Sequence, residues 1–177
     1  MGKLAFLFPG QGAQVVGMGK DFFDTYDLAK KRFAEADEAL GYSISKLCFE
    51  GPADQLQLTE HTQPAILTVA VIASELLRAE GIEPEIAAGH SLGEYAALVA
   101  AGVLSFQDAV LLVHKRGAYM QEAVPVGEGA MAAVIGLDDE TIVSACAEAS
   151  SVGAVQAVNF NCPGQTVIAG TAKGVEH

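Results

Sequence analysis

Residues 85–101 read EIAAGHSLGEYAALVAA. The apolar segment EIAAGH, 85–90, predicts a short strand, and the alanine-rich run from Leu92 to Ala101 predicts a helix. Between them, Gly89-His90-Ser91-Leu92-Gly93 fits G-x-S-x-G, the turn that carries a serine from a strand directly into a helix. Glycines at both ends allow the tight turn, and the N–H dipoles of the helix start face the place where an oxyanion would develop. Ser91 is therefore the candidate nucleophile.

Working outward, KLAFLF at 3–8 is a short apolar run closed by Pro9 and Gly10, which predicts a buried strand entering a loop. A helix is expected over about 21–40, an irregular part around Gly51 and Pro52, and a buried helix over about 63–79. Strands alternating with helices predict an α/β fold with a parallel sheet. Beyond the elbow, Ser105 reads as the N-cap of another long helix. Composition shifts at PVGEGA, where Pro125, Gly127 and Gly129 predict a boundary, with a large domain over 1–125 and a small one over 126–177. In the small domain, 130–137 predicts a strand, 138–151 a helix with acids in its first turn, and 154–161 and 165–170 two strands turning at Pro163 and Gly164. Thr171 would cap a further helix. A split βαβ unit needs one more helix and strand than this β-α-β-β order supplies. The sequence is thus expected to be the N-terminal part of a longer one.

Composition narrows the function. With 177 residues, 51% of them hydrophobic and 18% charged, the chain should be globular. A formal charge of -12, from 22 acids against 10 bases, repels a phosphate backbone and argues against nucleic acid. Cys48, Cys146 and Cys162 show no metal-ligand spacing and read as small buried residues in a reducing compartment. The N-terminal apolar run is too short for a signal peptide, and PAILTVAVIASELL falls short of a bilayer span. A cytoplasmic protein without a membrane partner is expected.

The Gly-rich stretch PGQGAQVVGMG at 9–19 is not a nucleotide loop. G-x-G-x-x-G would need glycine at Val15, and the Walker pattern would need Lys and Ser or Thr where Met18 and Gly19 stand. It suits a loop that lends a backbone amide to the serine, since an oxyanion hole commonly takes one N–H from after the nucleophile and one from elsewhere.

Taken in order, FPGQGAQVVGMG, TQPAI, GHSLGEYAA, KRG and NFNCPGQTVIAG resemble the malonyl-CoA:acyl carrier protein transacylases of fatty acid synthesis and the related acyltransferase domains of polyketide synthases. The resemblance implies that Ser91 takes malonyl from coenzyme A and passes it to the carrier's phosphopantetheine thiol. It implies Gln11 and Leu92 as oxyanion amides and Arg116 as partner of the malonyl carboxylate. Coenzyme A thioester would enter as substrate, with no tightly bound cofactor or metal. Its catalytic histidine and a glutamine near it come from segments this sequence does not reach.

Physically, Arg116 offers a planar fork suited to a bidentate carboxylate. His90 is expected to be a structural hydrogen-bonder near the substrate, because adjacent residues on a tight turn point apart. Gln63 is expected to line the pocket, and His61 and His114 to be incidental. The fold expected is an α/β-hydrolase-like large domain plus an incomplete ferredoxin-like small domain, and a monomer. Leu92 after the serine favours malonyl over methylmalonyl. Carrier docking on so acidic a protein should use a local basic patch. Two rival readings remain: a serine esterase or thioesterase, and a binding fragment that does not turn over.

Overall fold

The computed structural model describes residues 3–124 and 127–177, so the expected boundary residue Pro125 lies outside them. The chain divides into two compact units, Met1–Gln121 and Glu122–His177.

In the first unit, β1 (Ala5–Phe8) pairs in parallel with β2 (Ile86–Gly89), Ala5 facing Ile86 and Phe8 facing Gly89. Strand β1 was expected to be a buried strand. It is buried on one face only: Phe6 and Phe8 enter the core while Leu7 is 77% exposed, as a strand period of two requires when one face is covered. The expected helix over 21–40 is two helices, α1 (Lys20–Thr25) and α2 (Asp27–Leu40), separated by extended Tyr26. Packing explains the break. In one continuous helix Phe23 and Phe33 would lie ~15 Å apart along the axis. With the chain turned at Tyr26 their ring centroids come to 5.9 Å, and both meet Phe49. On α2, Ala29, Phe33 and Ala36 form the buried stripe.

The part expected to be irregular holds α3 (Ile44–Glu50), whose N-cap Ser43 accepts from the Lys46 N–H, and the short α4 (Ala53–Leu56). Helix α5 (Thr59–Ala79) begins four residues before its expected start and carries Pro64 inside it. Proline lacks the N–H that would pair with the carbonyl four residues back. That carbonyl, of Glu60, is instead taken by His114, whose Nδ1 lies 3.1 Å away. Helix α6 (Gly93–Ala100) follows the elbow, and α7 (Phe106–Ala123) is capped by Ser105 as expected, its Oγ accepting from the Asp108 N–H. Among the described residues, no helix is long and apolar enough to cross a membrane.

The second unit consists of β3 (Gly129–Ile135), α8 (Asp139–Ala149), β4 (Val155–Cys162), β5 (Gln165–Thr171) and α9 (Ala172–Glu176). Its sheet has the order β3-β5-β4, antiparallel at both pairings, so β3 and β4 run alike on either side of β5. Ile142, Cys146 and Ala149 of α8 pack with Val155 under this sheet. Asp138 and Thr171 cap α8 and α9. Cys48 and Cys146 are buried as expected, but Cys162 is exposed, because it ends β4 beside the hairpin turn, beyond the stretch that α8 covers.

Candidate active site

Ser91 has φ 53°, the sole positive φ among the described non-glycine residues. Left-handed backbone costs an L-residue about 1–2 kcal/mol, so it persists where the surroundings impose it. They do here: a Cβ on Gly89 would stand 2.0 Å from the Gly93 carbonyl carbon, and one on Gly93 would stand 2.3 Å from the Phe8 oxygen. The two glycines let the strand end, the helix start and the end of β1 occupy one small volume. Leu92, 1% exposed, anchors the turn in the core. The amides of Gly93, Glu94 and Tyr95 bond back to the carbonyls of His90, Ser91 and Leu92; the amide of Leu92 takes no part in these bonds.

The Ser91 side chain meets a cation. Arg116 Nη2 donates to Ser91 Oγ at 3.0 Å, and Nη1 donates to Gln63 Oε1 at 2.7 Å. Gln63 is fully buried in α5, and its Nε2 rests on Met120 Sδ at 3.4 Å. Arg116 of α7, Gln63 of α5 and Ser91 of the elbow therefore form one chain of hydrogen bonds. A guanidinium has only donors, so Arg116 can stabilise negative charge on Oγ but cannot take its proton.

His90 lies against the loop after β1, with its Nδ1 only 2.7 Å from where a Cβ on Gly10 would sit. That contact brings the start of the Gly-rich loop to the elbow. In the same loop, Gln11 donates through Nε2 to Thr59 Oγ1 at 3.2 Å. His61 and His114 each turn Nδ1 to a backbone carbonyl, of Gln55 and Glu60. Cys48 is no rival nucleophile, since burial pushes its thiol up to about 12. Thr59 and Met120 escaped the sequence reading; each makes its contact with a residue 48 or 57 positions away in the chain, a distance no local pattern reports.

The acyl transferase domain family matches residues 5–177, and the chain belongs to that family. It is 55% identical over 177 residues to the malonyl CoA-acyl carrier protein transacylase of Bacillus subtilis (strain 168), covering 99% of this chain and 56% of that relative. Its structure resembles the acyl-carrier-protein S-malonyltransferase of Burkholderia pseudomallei 1710b, with TM-score 0.89, 54% identity, and coverage of 99% and 57%. It also resembles a malonyl-transacylase solved in complex with its type II polyketide acyl-carrier protein, with TM-score 0.91, 47% identity, and coverage of 99% and 57%. The chain thus spans little more than half the length of the relatives it matches.

Proposed function

We propose that this chain is the nucleophile-bearing part of an enzyme that moves malonyl from coenzyme A to an acyl carrier protein through an acyl-serine. One observation carries the reading: the Arg116 guanidinium, steadied by Gln63, stands 3.0 Å from Ser91 Oγ. In malonyl a single methylene separates the thioester carbonyl from the carboxylate. A cation that holds the carboxylate must therefore lie beside the nucleophile, and a simple esterase has no need of one there.

In this reading Ser91 Oγ attacks the thioester carbon, the amides of Leu92 and Gln11 receive the oxyanion, and coenzyme A leaves as its thiol. The carrier's phosphopantetheine thiol then attacks the acyl-serine. The proton of Ser91 goes to a base other than Arg116, the histidine that the resemblance implies. His90 holds the Gly-rich loop against the elbow. Coenzyme A thioester is a substrate, with no tightly held cofactor, and the enzyme works as a cytoplasmic monomer. We read the first unit as most of an α/β-hydrolase-like domain over 1–125, on the strength of its parallel pair and elbow. The second is the opening of a ferredoxin-like domain over 126–177, since β5 lies between β3 and β4.

The test is Arg116→Ala in the full-length enzyme, comparing kcat/KM for malonyl-CoA and acetyl-CoA. Losing one partner of a desolvated charge pair costs on the order of 2–5 kcal/mol, so preference for malonyl should fall about thirty-fold or more. Equal losses for the two thioesters would sink the assignment.

A further inference from the structure

Building on the acyl-serine reading, we propose that Thr59 is a positioning residue: by accepting a hydrogen bond from Gln11 it fixes the loop after β1 relative to Ser91 and Arg116. The loop is tied at its two ends, by Gly10 against His90 and by the Gly17 N–H on the Cys48 carbonyl at 2.8 Å, and its middle needs an attachment of its own. Gly12 N–H bonds to Gln14 Oε1 at 2.8 Å, which stiffens the turn locally without tying it to another element. Gln11 Nε2 on Thr59 Oγ1, at 3.2 Å, joins the loop to the first turn of α5.

The hydroxyl is available for this because α5 starts without a side-chain cap, its N-cap being Leu58. The far end of the link is also fixed. A Cβ on Gly117 would stand 2.5 Å from the Thr59 carbonyl oxygen and 2.6 Å from the Glu60 Cα, so α7 touches the α5 backbone at this point. One residue on, Glu60 gives its carbonyl to His114 at 3.1 Å. Between His114 and Gly117 on α7 sits Arg116, itself held by Gln63 one turn into α5. The start of α5 is thus a shared mount, holding the loop through Thr59 and the cation through Gln63. Thr59 touches no reacting atom; it sets the distance between the groups that do.

The experiment uses Thr59→Val, which keeps the shape and removes the acceptor, in the full-length enzyme. Two quantities are read: hydrogen exchange of the peptide containing Gln11, and formation of acyl-Ser91 from radiolabelled malonyl-CoA. Loss of one such bond should speed exchange about three- to tenfold and lower the maximal acylation rate by a similar factor. The malonyl-CoA concentration at half-maximal rate should not move. Thr59→Ser should restore both, and Gln11→Ala should match Thr59→Val with no further loss in the double variant. Unchanged exchange in Thr59→Val, or additive losses in the double variant, would overturn the proposal. Exchange that responds while the full-length wild-type enzyme forms no acyl-Ser91 would instead overturn the acyl-serine reading and leave the tether standing.

Discussion

The two units are held together by different kinds of contact. In the first, side chains far apart in sequence meet through polar groups: Arg116 with Gln63 and Ser91, Gln11 with Thr59, and Arg32 with Glu75. In the second, side-chain bonds are mostly local, as in Asp138 with Thr141 and Asn161 with Gln165; apart from Thr166 donating to Asp139, the sheet supplies most of the long-range links. A polar side-chain bond fixes direction as well as distance, whereas apolar packing fixes mainly distance. The unit that carries the candidate nucleophile is therefore the one in which orientations are specified individually, and the second is specified by strand register over a small apolar core.

This contrast can be broken at the elbow, where the largest effect is expected. Gly93→Val would drive a side chain into the Phe8 and Pro9 carbonyls, backbone atoms that cannot swing away. Its cost should reach ~3 kcal/mol or more, seen as a lowered urea midpoint with the first unit lost. An unfolding free energy within about 1 kcal/mol of wild type would mean the elbow can open. In the second unit, Ile142→Ala removes a 3% exposed side chain from a small core and should cost about 2–5 kcal/mol. Exchange should rise across β3, β4 and β5 while the core of Phe33 and Leu67 keeps its protection. A uniform rise in both units would show that they unfold as one.

The smallest effect sharpens the comparison most. His114→Phe strands the Glu60 carbonyl that Pro64 cannot serve, at about 1–3 kcal/mol. Pro64→Ala supplies an N–H within α5, so the pair together should cost less than the sum of the singles. Strict additivity by thermal denaturation would detach His114 from the proline.

What the sequence disclosed follows the same division. The elbow was legible because its glycines, strand and helix are consecutive, and the β-α-β-β order of the second unit because hairpin turns are local. Arg116 stood out through the order of several motifs rather than through its own surroundings. The break at Tyr26 stayed hidden, since it serves Phe49, beyond the helix it interrupts. The buried helix was expected from about 63, yet α5 begins at Thr59, with Pro64 inside it and another helix taking over the carbonyl that proline leaves. Helix α3 went unread: its N-cap Ser43 was there to signal it, but glycine and proline suggested irregular chain.

That carbonyl has a further consequence for α7. Apolar ridges seated in grooves resist sliding but allow more than one seating along a helix, because the contact is not directional. A ring nitrogen bonded to one carbonyl at 3.1 Å tolerates shifts of only a few tenths of an ångström before the bond is lost. Pro64 therefore acts as an index mark on α5: it singles out one carbonyl from an otherwise uniform ladder, and His114 reads it. Arg116, two residues further along the same rigid helix, inherits its axial position from that reading.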